Sequence, residues 1–398
     1  MKEISKIASA VQASTTLQVD ALYKQMKADG KDVIGFGAGE PDFNTPENIN
    51  EAAYKAIRDG QTKYTPASGI PALRQAVADR LKADCGIVYA PNQIVVASGA
   101  KHSIYIALKT LVEPGDEVIL PAPYWVTYAE AIRMAGGVPV IIPASETDSF
   151  KITKEQLDAA VTEKTKLFII NNPCNPTGML YSADELKGLA DVCVAHDLYI
   201  MSDEIYYNLV YDGKKFTSIA QLGEDVKERT IIINGVSKTY AMTGWRIGFS
   251  ASNKHLADVM GNYLSHSTGS PGTISQIAAA EALKGRQDSV LMMRDAFQQR
   301  RDYIVERINN IDGVSCILPE GAFYIMLNIE KLIGKTLCGE IIRNSDTFSL
   351  VFLEKAMVAT VSCTGFGCEN FIRLTYAASM ETIKEGMDRL ERFVNPQK

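Results

Sequence analysis

Short apolar runs alternate with longer amphipathic segments through the middle of the chain. The apolar runs are rich in β-branched residues and occupy residues 93–98, 117–122, 137–143, 166–172, 198–203, 230–235 and 246–252. Amphipathic segments between them, such as residues 100–112 and 182–196, are long enough for helices. Strands of this kind, separated by crossover helices, are typical of a mostly parallel sheet covered on both faces. The pattern therefore predicts a doubly wound α/β layer.

The pattern changes after about residue 285. A long charged segment at residues 289–310 predicts a helix, residues 321–329 and 371–377 predict short strands, and residues 380–394 predict a final helix. With a helix near residues 17–28, these elements form a smaller α+β module. We predict a large domain over residues 41–285 and a small domain formed by residues 1–40 and 286–398.

The composition is typical of an ordinary soluble globular protein. The 398 residues are 46% hydrophobic and 22% charged, and the net charge of -6 comes without a basic stripe. No apolar run approaches the roughly 20 residues that span a bilayer, and the first residues lack the apolar segment of a signal peptide. We expect a cytoplasmic protein with no nucleic-acid or membrane partner.

The seven cysteines include no C-x-x-C pair, and only four histidines are present. This distribution argues against a disulfide framework and against a zinc site. Free thiols in a reducing compartment, and no bound metal, are expected.

Polar or reactive residues follow four of the predicted strands. They are the small-residue turn at residues 98–101, the asparagine-rich segment at residues 171–178, Asp203 with Tyr206, and Ser237 with Lys238. In open α/β sheets, ligands bind outside the carboxyl ends of the strands. We therefore expect these residues to meet at one edge of the sheet and to form a site there.

Each of these features also has an ordinary explanation. The turn at residues 98–100 opens a helix, where free N–H groups attract phosphate, but such turns also serve close packing. A buried Asp203 needs a cation or hydrogen-bond donors, which an ion pair or a helix cap could provide. Lys238 could be a solvated surface residue, but a lysine with a lowered pKa attacks carbonyl groups. A lysine, a carboxylate and a phosphate cradle together indicate pyridoxal phosphate bound covalently to the lysine.

Seven motifs carry a resemblance to a known family: SKTYAMTGWRIG (237–248), AGEPDF (38–43), KYTPASGIPALR (63–74), PYWVTY (123–128), NNPCNPTG (171–178), SDEIY (202–206) and IRLTYA (372–377). They resemble the class I pyridoxal phosphate-dependent aminotransferases, in the aspartate aminotransferase-like branch that also contains prephenate-type enzymes. The resemblance spans nearly the whole chain. It implies fold type I and an enzyme with ping-pong kinetics.

The resemblance also implies roles for individual residues. Lys238 would form the Schiff base, Asp203 would pair with the ring nitrogen, and Tyr206 would hydrogen-bond the ring hydroxyl. The full set of implied cofactor-binding residues is Gly99, Ala100, Trp125, Asn175, Asp203, Tyr206, Ser237, Lys238, Arg246 and Tyr64. Tyr64 resembles a tyrosine that this family lends to the neighbouring subunit, so a homodimer with shared active sites is expected.

The implied substrate-binding residues are Gly39, Lys101, Trp125, Asn175 and Arg373. Arg373 would hold the α-carboxylate by a bidentate fork, which a lysine could not imitate. Lys101 would meet a side-chain carboxylate, or it is merely a charged residue near the phosphate. Another aspartate branch uses an arginine near residues 263–272, where this chain has none. Aspartate or glutamate is therefore the favoured donor, and 2-oxoglutarate or oxaloacetate the favoured acceptor.

Alternatives to this interpretation stay open. Aromatic, alanine and prephenate substrates are possible, although residues 13–21 lack the arginine of the prephenate-type enzymes. Relatives often carry Pro-Gly where this chain has Ser362 and Cys363, which changes the loop before Arg373. A carbon–sulfur β-lyase would share every cofactor residue. A regulatory binding protein would need a further DNA-binding module, for which we expect no room ahead of the first motif.

Overall fold

The structure is a computed structural model that describes residues 2–11 and 15–396. Residues 1, 12–14, 397 and 398 lie outside the described part, so the ends of the predicted small domain and the start of the segment at residues 13–21 are not included. The helices are α1 Lys6–Ala10, α2 Thr15–Ala28, α3 Glu47–Arg58, α4 Pro71–Cys85, α5 Ala100–Leu111, α6 Thr127–Ala135, α7 Lys154–Ala160, α8 Ala183–Ala195, α9 Glu224–Glu228, α10 Lys254–Ser267, α11 Thr273–Lys284, α12 Asp288–Asn309, α13 Ser345–Ala356 and α14 Met380–Val394.

The strands are β1 Ile34–Gly35, β2 Ile94–Ala97, β3 Glu117–Ala122, β4 Val138–Pro143, β5 Thr165–Asn171, β6 Tyr199–Asp203, β7 Thr230–Gly235, β8 Gly248–Ala251, β9 Tyr324–Asn328, β10 Thr336–Leu337, β11 Glu340–Ile341, β12 Val358–Ala359, β13 Val361–Ser362 and β14 Phe371–Thr375. Each of the apolar runs described above contains, or coincides to within a residue with, one of the strands β2 to β8.

Strands β2 to β8 form one sheet in the order β2-β8-β7-β6-β5-β3-β4. The strands from β7 to β4 pair in parallel, whereas β8 runs antiparallel to both of its neighbours. The antiparallel strand differs from the all-parallel pattern because only turns and a short 3₁₀ segment lie between Gly235 and Gly248. A return without a crossover helix brings the next strand back in the opposite direction.

The helices that cover this sheet carry local signals at their ends. Ser182 accepts a hydrogen bond from the Glu185 N–H, and the Glu185 carboxylate accepts one from the Ser182 N–H, which forms a capping box at the start of α8. Gly86 ends α4 in the left-handed conformation. Apolar side chains on both faces of the sheet, such as Ile169 and Phe168 of β5, are fully buried. The sheet is therefore the rigid support of whatever lies at its edge.

A second set of elements follows α11. Strands β13, β14 and β9 form an antiparallel sheet, and α12, α13 and α14 pack together beside it. The short strand β1 pairs in parallel with β12, with Ile34 opposite Val358, which joins the N-terminal segment to this set. The helices predicted at residues 289–310 and 380–394 are α12 and α14. The domain boundaries near residues 40 and 285 stay a prediction.

Within the described ranges, no helix is long and apolar enough to cross a membrane. The same residues hold no cluster of His, Cys, Asp and Glu side chains suited to a metal ion. All seven cysteines are free.

Candidate active site

A cavity of about 360 Å³ lies where the carboxyl ends of the parallel strands face the smaller antiparallel sheet. Strand register contributes to this arrangement, because the last residues of β5 and β6, Asn171 and Asp203, are paired, and Asp203 lies beside Ile233 of β7. Its volume is within the range of small-molecule sites. Its lining consists of Asp20, Lys24, Gly37, Ala38, Gly39, Glu40, Ala100, Lys101, Trp125, Tyr128, Asn171, Asn175, Asp203, Ile205, Tyr206, Ser237, Lys238, Thr243, Arg246, Tyr324 and Arg373.

Asp203 is the last residue of β6 and is only 3% exposed. Its carboxylate accepts hydrogen bonds from the Tyr128 hydroxyl at 2.6 Å and from the Ile205 N–H at 3.2 Å. Burial raises the pKa of Asp203 to about 6, although these donors and the nearby Lys238 act in the opposite direction. Both hydrogen-bond donors are neutral, so this buried carboxylate is suited to receive a cationic N–H from a ligand.

Lys238 follows β7, and its amine lies inside the cavity, where it donates a hydrogen bond to the Gly39 carbonyl. Burial lowers the pKa of Lys238 to about 8, and the Arg246 and Arg373 guanidinium groups act in the same direction. Glu40 and Asp203 partly offset these effects. An amine with a pKa of about 8 is unprotonated in about one molecule in ten at pH 7. The unprotonated amine is the form that acts as a nucleophile or a general base.

Donors for an anion gather around the start of α5. The helix begins at Ala100, so its first N–H groups have no acceptor within the helix. The Ser237 and Arg246 side chains line the same cavity, and the Arg246 guanidinium donates to the Ser98 carbonyl at 3.3 Å. Gly99 has a φ of 88°, and a Cβ at this position would collide with the Arg246 guanidinium. Only glycine therefore lets Arg246 lie against the start of the helix, where a phosphate group is favoured.

Arg373 lies in the middle of β14 and is 2% exposed. Its guanidinium donates to the Asn175 side-chain oxygen at 3.1 Å and to the Gly37 carbonyl at 2.8 Å, and both acceptors are neutral. Its Nε has no partner among the described residues. The guanidinium lies 4.6 Å from the centre of the Tyr324 ring and 5.1 Å from that of Phe366. A buried cation with neutral partners and an unused donor is a ready site for a carboxylate.

The structure brings most of the predicted site residues together. Those that line the cavity are Gly39, Ala100, Lys101, Trp125, Asn175, Asp203, Tyr206, Ser237, Lys238, Arg246 and Arg373. Gly99 lies directly behind Arg246. Lys101 is exposed, with its Nζ 4.9 Å from the centre of the Trp125 ring. Tyr64 does not reach the cavity of its own chain and is fully exposed.

Sequence reasoning did not single out Tyr128, Tyr324, Glu40, Asp20 or Lys24, which also line the cavity. Tyr128 lies within PYWVTY, but the resemblance implied no role for it. Tyr324 begins β9, far along the chain from the other residues, and no local pattern distinguishes it from a core aromatic. Asp20 and Lys24 form an ion pair of 2.8 Å on α2, which looks like an ordinary helix pair in the sequence.

The chain has the sheet order and the cavity of a fold type I transferase, and comparisons with known proteins agree. The family model for class I and II aminotransferases matches residues 31–390. The aspartate aminotransferase of Bacillus sp. strain YM-2 is 48% identical over 381 residues, which are 96% of each chain. The aspartate/prephenate aminotransferase of Cereibacter sphaeroides is 44% identical over 395 residues, 99% of each chain.

A solved structure is similarly close. The Thermus thermophilus aspartate aminotransferase with maleate has a TM-score of 0.93 and 36% identity, and the match covers 99% of this chain and 100% of that one. The chain belongs to the class I and II aminotransferase family. It is an aminotransferase, as the motifs predicted.

Proposed function

We propose that this aminotransferase uses pyridoxal 5'-phosphate to move the amino group of aspartate or glutamate to 2-oxoglutarate or oxaloacetate. One observation carries the proposal. Three charged groups whose hydrogen-bond partners are neutral line the same cavity: the Lys238 amine, the Asp203 carboxylate and the Arg373 guanidinium. A covalently held ring with a protonated nitrogen would meet the first two, and a substrate carboxylate the third.

The residues present fit the proposed cofactor. The phosphate would bind the N–H groups at the start of α5, the Ser237 hydroxyl and the Arg246 guanidinium. Asp203 would hold the ring nitrogen, while Asn175 and Tyr206 would hydrogen-bond the ring hydroxyl. Trp125 would cover one face of the ring. When bound, pyridoxal phosphate supplies an electron-withdrawing ring that stabilises negative charge at the substrate Cα.

The protein groups would then divide the proton transfers and the binding among themselves. The Lys238 amine would bind the cofactor covalently before substrate arrives and would afterwards remove the Cα proton, which its lowered pKa allows near neutral pH. Asp203 would keep the ring nitrogen protonated. Arg373 would orient the substrate through its α-carboxylate, so that the Cα–H bond points toward Lys238. The same residues would serve the second substrate in reverse.

The preference for acidic substrates rests on Lys101 and on the relatives. Lys101 brings an exposed cation to the cavity that the buried Arg373 also lines. Two cations that line one cavity suit a dicarboxylic amino acid. The related proteins are named aspartate aminotransferases, and the Thermus enzyme was solved with maleate, a dicarboxylate.

Prephenate is a second candidate acceptor, because the Cereibacter sphaeroides relative is named for both substrates and covers the full chain. Prephenate also carries two carboxylates, so the same pair of cations could receive it. It needs more room beside the ring than aspartate does. Whether that room exists depends on the other residues that line the cavity, among them Asp20, Lys24 and Glu40.

A substrate panel tests the proposal. Aspartate, glutamate, alanine and phenylalanine are compared as donors to 2-oxoglutarate, and prephenate is compared with oxaloacetate as acceptor from glutamate. We expect the highest kcat/KM for the dicarboxylic donors. A higher kcat/KM for alanine or phenylalanine would contradict the preference. Release of pyruvate and ammonia without any oxo acid would indicate a β-lyase instead.

We also propose a cytoplasmic homodimer with domains at residues 41–285, and at 1–40 with 286–398. The fully exposed Tyr64 supports shared active sites, because its ring buries nothing within its own chain. The free thiols support a reducing compartment.

Mixing a Tyr64→Ala chain with a Lys238→Ala chain tests whether the active sites are shared between subunits, since a hybrid dimer would contain one intact site. Failure of every mixture to regain activity would contradict it.

A further inference from the structure

Tyr324 lies at the meeting point of two proposed functional residues. Its hydroxyl is 2.9 Å from the Tyr206 hydroxyl, and the Arg373 guanidinium lies 4.6 Å from the centre of its ring. Tyr206 follows β6 of the large sheet, whereas Tyr324 and Arg373 belong to β9 and β14 of the small one. Tyr324 therefore connects, through one side chain, the proposed cofactor-binding and substrate-binding groups.

The position of Tyr324 is constrained on every side. The residue is 1% exposed, and its ring packs edge-on against Tyr206 with the ring centres 5.7 Å apart. A Cβ on Gly39 would come within 2.9 Å of the Tyr324 hydroxyl, so the glycine leaves the space that the hydroxyl occupies. Such packing holds the hydroxyl in a single place, as a residue that orients another must be held.

The charged groups that act on these phenols are Arg373 for both and Asp203 for Tyr206. Burial raises the pKa of both phenols, and the Tyr324 bond also raises the pKa of Tyr206. The nearby Arg373 guanidinium lowers the pKa of both phenols and so acts against burial. The two hydroxyls can share this hydrogen bond in either direction. When Tyr324 is the donor, the Tyr206 proton is free to point into the cavity.

We propose that Tyr324 is a positioning residue that acts through Tyr206: its hydroxyl orients and strengthens the hydrogen bond from Tyr206 to the ring hydroxyl of the cofactor, while its ring supports Arg373. Hydrogen bonds in a chain polarise one another, so the second bond is stronger when the first is present. The inference rests on the proposed function, because it needs pyridoxal phosphate in this cavity. It adds a residue to which neither the motifs nor the relatives assign a role.

The test is a pH titration of the visible absorbance of the bound cofactor. This absorbance changes when the bound cofactor loses a proton that its ring oxygen shares. A weaker hydrogen bond from Tyr206 makes the ring oxygen more basic, so the proton is lost at a higher pH. Tyr324→Phe should raise the midpoint of this titration by about 0.5 to 1 pH unit, and Tyr206→Phe should raise the midpoint further. In the Tyr206→Phe background, Tyr324→Phe should add no further shift, because the Tyr206 hydroxyl through which Tyr324 acts is absent.

A second measurement separates the hydroxyl from the ring. Tyr324→Phe keeps the ring under Arg373 and should leave the KM of the amino donor unchanged, whereas Tyr324→Leu should raise it about two- to tenfold. The matched control is Tyr207→Phe, which removes a buried hydroxyl bonded to Asp84, and its midpoint should equal that of the wild type.

Three outcomes are distinguishable. An unchanged midpoint in Tyr324→Phe would overturn the inference. A shift that persists in full in the double variant would also overturn it, because Tyr324 would then act without Tyr206. A wild-type protein that acquires no absorbance band with pyridoxal phosphate would contradict the proposed function itself.

Discussion

Replacement of Arg373 by lysine tests whether this residue binds a carboxylate through two hydrogen bonds or only through its positive charge. The guanidinium donates one N–H to Asn175 and one to Gly37. Its remaining N–H groups, including the unpartnered Nε, can donate two parallel hydrogen bonds to a carboxylate. A lysine keeps the charge but loses at least one of two charged hydrogen bonds. Such a bond contributes about 1.5–3 kcal/mol, so kcat/KM should fall about 10- to 150-fold.

The assay compares kcat/KM for aspartate and for alanine, each with 2-oxoglutarate, in the wild type and in Arg373→Lys. Both donors carry the same α-carboxylate, so both should lose the same factor. Arg307→Lys is the matched control, because Arg307 pairs with Asp388 and Glu391 on α14 and does not line the cavity. Its kcat/KM should stay near the wild-type value.

Two results would refute this reasoning about Arg373. A loss below about twofold for both donors would show that no bidentate contact forms in the transition state. A loss confined to aspartate would assign Arg373 to the side-chain carboxylate instead of the α-carboxylate.

Three further predictions concern the other charged groups. Lys101→Ala should lower kcat/KM for aspartate about fivefold more than for alanine, because an exposed cation contributes about 1 kcal/mol, and equal losses would contradict its role. Because the Lys238 pKa is about 8, the rate at which the cofactor-free protein combines with pyridoxal phosphate should fall as pH drops below 8 and level off above it; a pH-independent rate would show that the free amine is not the reacting form. Asp203→Asn should lower kcat by at least about 10²-fold in a steady-state assay, since an amide cannot hold the ring nitrogen protonated, and near-normal turnover would contradict this.

Strand positions and the residues that follow each strand were predictable because both depend on local patterns. Asp203 and Lys238 each end or follow a β-branched run, and the rule for open α/β sheets places them at one edge. The antiparallel β8 was not predictable in the same way, because a turn without a crossover helix is weakly marked in sequence.

Contacts between distant segments could also not be predicted from the sequence. Tyr324 meets Tyr206 across 118 positions of chain, and Tyr128 meets Asp203 across 75. Nothing in the local sequence of either tyrosine records its partner, and buried tyrosines are common core residues. The lowered pKa of Lys238 could not be predicted either, because burial of its amine depends on the assembled cavity and not on its neighbours in sequence.

Lys238→Ala tests the central claim most directly. The variant is purified with pyridoxal phosphate present, and both its visible absorbance and its transamination of aspartate with 2-oxoglutarate are measured beside the wild type. Without the amine, the absorbance of the lysine-bound cofactor should be absent, and turnover should fall by at least about 10²-fold, because the same amine serves as the base at Cα. A Lys238→Ala protein that retains this absorbance and turns over aspartate at the wild-type rate would contradict the account.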